Sequence, residues 1–310
     1  MSNAQNTLVL AKENYLSVIQ SPQEKNSHLV PVAVDIQNAL LQKKEKNTAE
    51  TETNWLTENI DSQPDHIIWH GPRDRKEVAL TFDADMTPVM VDWLHSGQVA
   101  TYNDTRITDY LIQNQIKATF FLTGLWIESY RDATKALADN ALFELENHTY
   151  SHPSMAGYCF GQPQIPQSQY SFEIERTQQL IAEYTHETPK YFRFSGGCYD
   201  QYGLDLVKKE GLVTVHWDDV ANDGFNANKD EIITNVLNEA KNGSIIVLHL
   251  GGQPNTPSTA DALPTIIEGL KKKGYTFVTV SELLNPPVIA TKIDPKQYVS
   301  SLESFSNLTP

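Results

Sequence analysis

Five short clusters along the chain combine residue types that do chemistry. Asp83 and Asp85 flank Ala84, and His148 and His152 stand four apart in His148-Thr149-Tyr150-Ser151-His152. Arg193 precedes Ser195-Gly196-Gly197, and Trp217-Asp218-Asp219 runs on to Asp223. His249 closes the apolar run Ile245-Ile246-Val247-Leu248. Singly, each has an ordinary explanation: a loop or helix cap for the aspartates, a polar turn for the histidines, a structural ion pair for Arg193. A half-buried histidine would account for His249 and a plain turn for the glycines. Together they describe metal-assisted amide hydrolysis. Imidazoles and carboxylates suit zinc or a neighbouring first-row ion, with one position left open for water. The ion activates that water and polarises the carbonyl. A second carboxylate can take the proton, a separate histidine can protonate the leaving amine, and backbone N–H groups of a glycine turn can receive the developing oxyanion.

The elements that must position these residues follow from the pattern around them. From about Ile67 the chain alternates short β-branched or aromatic runs with amphipathic stretches, the signature of βα units around a parallel sheet or barrel. Candidate strands are 78–82, 118–122, 142–146, 191–194, 213–217, 244–249 and 276–280. Candidate helices lie near 107–115, 129–138, 170–184, 204–209, 231–240 and 262–272. Nearly every candidate strand runs directly into a reactive cluster, and the C-terminal strand ends are where a parallel α/β barrel carries its catalytic groups. The expected fold is therefore α/β, a distorted barrel of seven to eight βα units with an N-terminal extension. Residues 66–290 form its catalytic domain. Residues 1–65, with one amphipathic stretch over 9–20 and a polar stretch over 41–61, read as an arm; residues 291–310, beyond Pro286-Pro287, read as a tail.

Composition narrows the partners. A formal charge of −15 opposes nucleic acid and anionic membranes by long-range repulsion. No apolar run approaches the roughly 18–20 residues that span a bilayer. Met1-Ser2-Asn3-Ala4 resembles a cloning remnant, so a signal peptide is expected to have preceded the natural chain. Two cysteines, Cys159 and Cys198, are too few for a cysteine-rich zinc site. They follow two strand ends on the same barrel face. Either they are unrelated thiols or they lie within about 7 Å and bridge; a bridge would fit an oxidising compartment.

Taken in order, the five clusters resemble the polysaccharide deacetylases with a NodB-homology domain, carbohydrate esterase family 4, over residues 67–285. The matching segments are Thr81-Phe82-Asp83-Ala84-Asp85, His148 to His152, Arg193 to Gly197, Trp217 with Asp218 to Asp223, and Leu248-His249. The resemblance implies removal of N-acetyl groups from an amino-sugar polysaccharide such as peptidoglycan, a chitin-type glycan or another envelope glycan, in the periplasm or outside the cell. It implies one divalent metal, zinc first, with cobalt, nickel or manganese as alternatives. Asp83 would be the general base oriented by Arg193, His249 the general acid tuned by Asp223, and His148 and His152 metal ligands. Trp217 and Leu248 would line the pocket for the acetyl methyl, and Gly196 N–H would face the oxyanion. The family's first motif has two adjacent aspartates and then glycine; here the second is Ala84, with Asp85 in the glycine position. Either Asp85 supplies the third ligand, the preferred reading because it leaves Asp83 free, or Asp83 binds the metal itself. Val220 also replaces a common aspartate in the fourth motif. Two rival functions remain open: an amidohydrolase of the same superfamily acting on a small amide, and a carbohydrate-binding barrel without catalysis.

Overall fold

Long apolar runs that are buried on both faces build the centre of a parallel sheet, because helices cover each side. In the computed structural model, which describes residues 67–251 and 254–284, three such runs form the middle strands. These are β1 (Glu77–Ala84), β2 (Ala118–Leu122) and β7 (Ser244–His249). The flanking strands are β3 (Phe143–Asn147), β4 (Tyr191–Phe192), β5 (Val213–Thr214) and β6 (Asp219–Val220). All pair in parallel in the order β5-β4-β3-β2-β1-β7-β6, and β8 (Thr276–Phe277) adds to the start of β1. The result is an incomplete α/β barrel, in keeping with the distorted barrel expected. Its seam lies between β5 and β6, and residues 68–70 cross there: Ile68 bridges Val215 and His70 bridges Ser244.

The pleat sorts the side chains. Phe82 stacks on Phe120 and Phe120 meets Phe143 edge-on, at 5.4 and 5.0 Å between centroids, on the face opposite Asp83. On the inner face lie Thr81 and Asp83 of β1 and Phe121 of β2, all in contact with Arg193.

Around the sheet run α1 (Pro88–His95), α2 (Thr105–Gln113), α3 (Gly124–Ser129), α4 (Arg131–Ala138) and α5 (Tyr170–Thr185). They are followed by α6 (Gln201–Lys209), α7 (Lys229–Glu239), α8 (Thr259–Lys272) and α9 (Val280–Leu284).

Several boundaries differ from the sequence reading. The run 213–217 is not one strand: Val213–Thr214 pairs with β4, and the chain then crosses the seam so that Asp219–Val220 pairs with β7. The strand expected over 191–194 stops at Phe192, because the chain turns into left-handed backbone at Gly196 (φ 60°). The helix expected near 129–138 is α4, which starts at Arg131. A short helix that the sequence reading did not mark, α3, precedes it, and the two meet at Tyr130, whose hydroxyl accepts from the Tyr102 N–H at 2.7 Å. Val280 begins a helix and does not end a strand. Thr279 and Glu282 form a reciprocal cap there, with N–H to side-chain bonds of 3.2 and 3.3 Å. The arm over 1–65 and the tail over 291–310 lie outside the described residues.

Candidate active site

Residues two apart on an extended strand share a face, and this places both aspartates of the first cluster together at the C-terminal end of β1. Asp83 Oδ1 accepts from Arg193 Nη1 at 2.6 Å, while its Oδ2 lies 3.7 Å from His148 Nε2. Asp85 Oδ1 lies 3.3 Å from Nε2 of both His148 and His152, and its Oδ2 lies 3.8 Å from His249 Nε2. Ala84 points away from this group and its carbonyl accepts from Thr123 Oγ1 at 2.8 Å.

The donor set fits a metal ion. One oxygen of Asp85 and one nitrogen each from His148 and His152 lie within 4.8 Å of one another, and no other group of three or more such residues occurs among the described residues. Asp85 Oδ1 is buried without a hydrogen-bond donor of its own. His148 directs Nδ1 at the Arg193 carbonyl, 2.8 Å away, which fixes its tautomer and turns Nε2 toward the ion position.

The turn that presents the two histidines is strained and held from below. Thr149 (φ 69°) and His152 (φ 57°) are left-handed, a conformation rare for a β-branched residue. Glu173 of α5 reaches up to accept from the N–H groups of Tyr150 and Ser151 at 2.8 and 2.7 Å and from Ser151 Oγ at 2.7 Å. Asn147 Oδ1 accepts from Thr149 N–H at 3.0 Å, and Thr149 Oγ1 accepts from His152 N–H at 3.1 Å. Such a network over-determines the strained backbone, which is how strain persists at functional sites. The sequence reading passed over Glu173. Its signal was an acidic residue on the apolar stripe of α5, beside Tyr170, Ile174 and Thr177.

Arg193 is wholly buried, and each of its nitrogens is engaged. Nη1 donates to Asp83 and to Thr81 Oγ1 (2.8 Å), Nη2 to the His216 carbonyl (3.2 Å) and Nε to the Val215 carbonyl (3.4 Å). Its guanidinium lies 3.9 Å above the Phe121 ring. On the opposite side, His249 Nδ1 pairs with Asp223 Oδ1 at 2.8 Å, and Asp223 Oδ2 accepts from His249 N–H (2.9 Å) and Thr259 Oγ1 (2.6 Å). Asp223 therefore holds His249 despite the valine at position 220.

The charges act in opposite directions on the three imidazoles. Burial pushes His152 down to about 4. In His148 burial also opposes protonation, but Asp83 and Asp85 overcome it and raise the group. Burial would likewise lower His249, yet Asp223, followed by Asp85 and Asp83, holds it up to about 10.

The two residues expected to line the acetyl pocket are placed differently. Trp217 lies beside Arg193, with its ring centroid 5.5 Å from the guanidinium carbon, and packs so closely that a methyl group on Gly197 would come within 2.7 Å of it. Leu248, expected in the same pocket, is turned away. It stands in register with Phe82, whereas His249 is in register with Asp83, so alternation puts Leu248 on the helix-covered face. Val247, two residues before His249, takes the inner face. Gly196 N–H is met by the Gln162 side chain. With the amide oriented to satisfy both its groups, its oxygen accepts from Gly196 at 3.2 Å and its nitrogen donates to the Ser195 carbonyl at 3.2 Å. An incoming carbonyl would have to replace Gln162 there. Cys159 and Cys198 are joined by a disulfide that ties the loop after the histidine turn to the glycine turn.

An incomplete parallel barrel with Asp-His-His at its strand ends, flanked by an arginine-held carboxylate and an aspartate-held histidine, has the layout of a metal-dependent hydrolase. Comparison with known proteins narrows the class. A family model described as polysaccharide deacetylase matches residues 70–215. The chain is 30% identical over 217 residues to a peptidoglycan-N-acetylglucosamine deacetylase of Bacillus cereus, covering 69% of this chain and 70% of the relative. It is similar in structure to the Bc1960 peptidoglycan N-acetylglucosamine deacetylase, with a TM-score of 0.60 and 28% identity over 74% of this chain and 95% of that one. It is also similar to a mutant of BA3943, a CE4 family pseudoenzyme with restored enzymatic activity, with a TM-score of 0.58 and 26% identity over 73% of each chain. The chain belongs to the polysaccharide deacetylase family.

Proposed function

We propose that this protein is a metal-dependent deacetylase that hydrolyses the N-acetyl group of amino sugars in a cell-envelope glycan, with peptidoglycan as the first candidate. The observation that carries the reading is the convergence on one strand-end face of the Asp85–His148–His152 group, the Asp83–Arg193 pair and the His249–Asp223 pair. The named deacetylases similar to this chain support it.

A divalent ion held by Asp85, His148 and His152, zinc first by ligand preference, supplies Lewis acidity to the acetyl carbonyl and to the attacking water. Asp83, fixed by the Arg193 fork, accepts the proton that water gives up as the new C–O bond forms. His249, kept protonated by Asp223, passes its Nε2 proton to the amine as the amide C–N bond breaks, releasing acetate and a free amino sugar. Gly196 N–H, once Gln162 yields, stabilises the carbonyl oxygen. Trp217 and Val247 bound the space left for the acetyl methyl. The disulfide and the net charge of −15 favour an oxidising, extracytoplasmic setting and a neutral or cationic polymer. Among the described residues no helix is long and apolar enough to cross a membrane.

The test is acetate release by the zinc-loaded protein from peptidoglycan and from N-acetylglucosamine oligomers, with Asp83→Asn as control. Release by the parent and loss in the variant are expected. Glycan binding without acetate release would favour the non-catalytic reading, which the altered Asp83-Ala84-Asp85 motif and the pseudoenzyme relative motivate.

A further inference from the structure

Two phenylalanines stand open to water beside the site. Phe160 is 64% and Phe225 72% exposed, yet their rings meet at 5.3 Å between centroids although they come from different loops. Both loops are tied to the reacting groups. Phe160 follows Cys159, whose bridge to Cys198 fixes it to the glycine turn, and a methyl group on Gly196 would come within 3.3 Å of the Phe160 ring. Phe225 follows Gly224, where a methyl group would lie 3.1 Å from His249 Cε1, and Asp223, which holds that histidine. The pair therefore spans the rim between the oxyanion side and the acid side.

Phe160 is held in left-handed backbone (φ 46°), a position a bulky residue rarely occupies. The neighbouring disulfide and the turn from Gln162 N–H to the Cys159 carbonyl (2.8 Å) maintain it. Strain retained to keep an aromatic ring in water, next to a strained active-site turn, serves a ligand more readily than the core.

We propose that Phe160 and Phe225 form an aromatic platform that stacks the pyranose ring adjacent to the sugar being deacetylated, so that the site reads a glycan chain and not an isolated amide. The proposal deepens the deacetylase reading and takes its orientation from it. A pyranose offers an apolar C–H face and a hydroxyl edge. The two rings, inclined at 47°, present an apolar surface to the first, while the net charge of −15 on the chain disfavours anionic ligands.

The experiment is calorimetric titration of the zinc-loaded full chain with a chitin tetramer, for the parent, Phe160→Ala, Phe225→Ala, the double variant and Phe160→Trp. Each alanine should weaken binding about tenfold and tryptophan should retain it, with melting temperatures unchanged because both rings are exposed. Unchanged affinity in the double variant overturns the proposal, as does failure of the parent to bind. A parent that sediments as a dimer and a double variant that sediments as a monomer, with glycan binding intact, would instead make the pair a self-association surface and also overturn it. Acetate release by the parent is measured in the same samples. Release with binding indifferent to the rings sinks the platform alone, whereas ring-dependent binding without release sinks the deacetylase reading alone.

Discussion

At the scale of single residues, Ala84 stands where the family's second aspartate is usual, and the proposed carboxylate donor, Asp85, lies one position further along the chain. An extended strand tolerates this shift because Asp83 and Asp85 face the same way and both reach His148. The two carboxylates then differ in their partners: Asp83 has Arg193, and Asp85 has three imidazoles. Asp85→Asn and His152→Ala should each lose bound metal, as measured by elemental analysis of dialysed protein, with the circular dichroism spectrum retained. Asp83→Asn should keep the metal and lose about 10²–10⁴ in rate, the usual value of general-base assistance. Metal lost from Asp83→Asn but kept by Asp85→Asn would reverse the two roles.

Elements hold these residues through contacts that the motifs do not mention. The histidine turn rests on α5 through Glu173, which burial pushes up to about 7 even though three donors favour its charge. Glu173→Ala leaves two buried N–H groups unmet, at about 1–3 kcal/mol each. It should also weaken metal affinity about 10–100-fold, as loss of a supporting partner does; competition with a chelator measures this, and unchanged affinity would separate the turn from α5. On β6, Asp219 is fully buried and neither of its oxygens finds a partner. Burial first, then the Asp218 and Glu239 charges, push its carboxyl up to about 8 from an ordinary 3.8. A carboxyl raised on folding stabilises the protein fully below its unfolded pKa, and that contribution is lost as pH rises through the folded value. Urea midpoints of the parent should therefore fall from pH 4 to 8 relative to Asp219→Asn, by an equivalent on the order of a few kcal/mol. Parallel curves for the two proteins would contradict the buried, ionising aspartate.

Over the molecule as a whole, the disulfide is the covalent link between the loop bearing Phe160 and the glycine turn, closing a separation of 39 residues. By chain entropy a loop of that size contributes about 3–4 kcal/mol. Reduction should therefore lower the denaturant midpoint without abolishing the barrel, whose strands do not carry the bridge. Thiol titration of the unreduced, denatured protein should find no free thiol; two would remove both the bridge and the argument for an oxidising compartment.

Strand existence and the order of the reactive clusters were legible in the sequence, because apolar period and strand-end position are local properties. So were two helix starts that the reading passed over: Thr87-Pro88, with its cap and first-turn proline, and the Thr279-to-Glu282 box. Other features depended on contacts far apart in the chain. No local signal says that 213–220 crosses from one sheet edge to the other, since pairing partners at Ile68 and Ile246 decide it. Register with Phe82 turned Leu248 outward and left Val247 facing in. The proposed preference for Asp85 over Asp83 as ligand rests on the buried Arg193, which bonds Asp83 while Asp85 lies among the histidines. The sequence alone marked the clusters that we propose carry the chemistry. Packing and hydrogen bonding between distant segments decided which partners the two carboxylates meet, Arg193 for Asp83 and the histidines for Asp85, because those partners come from strand ends far apart in the chain.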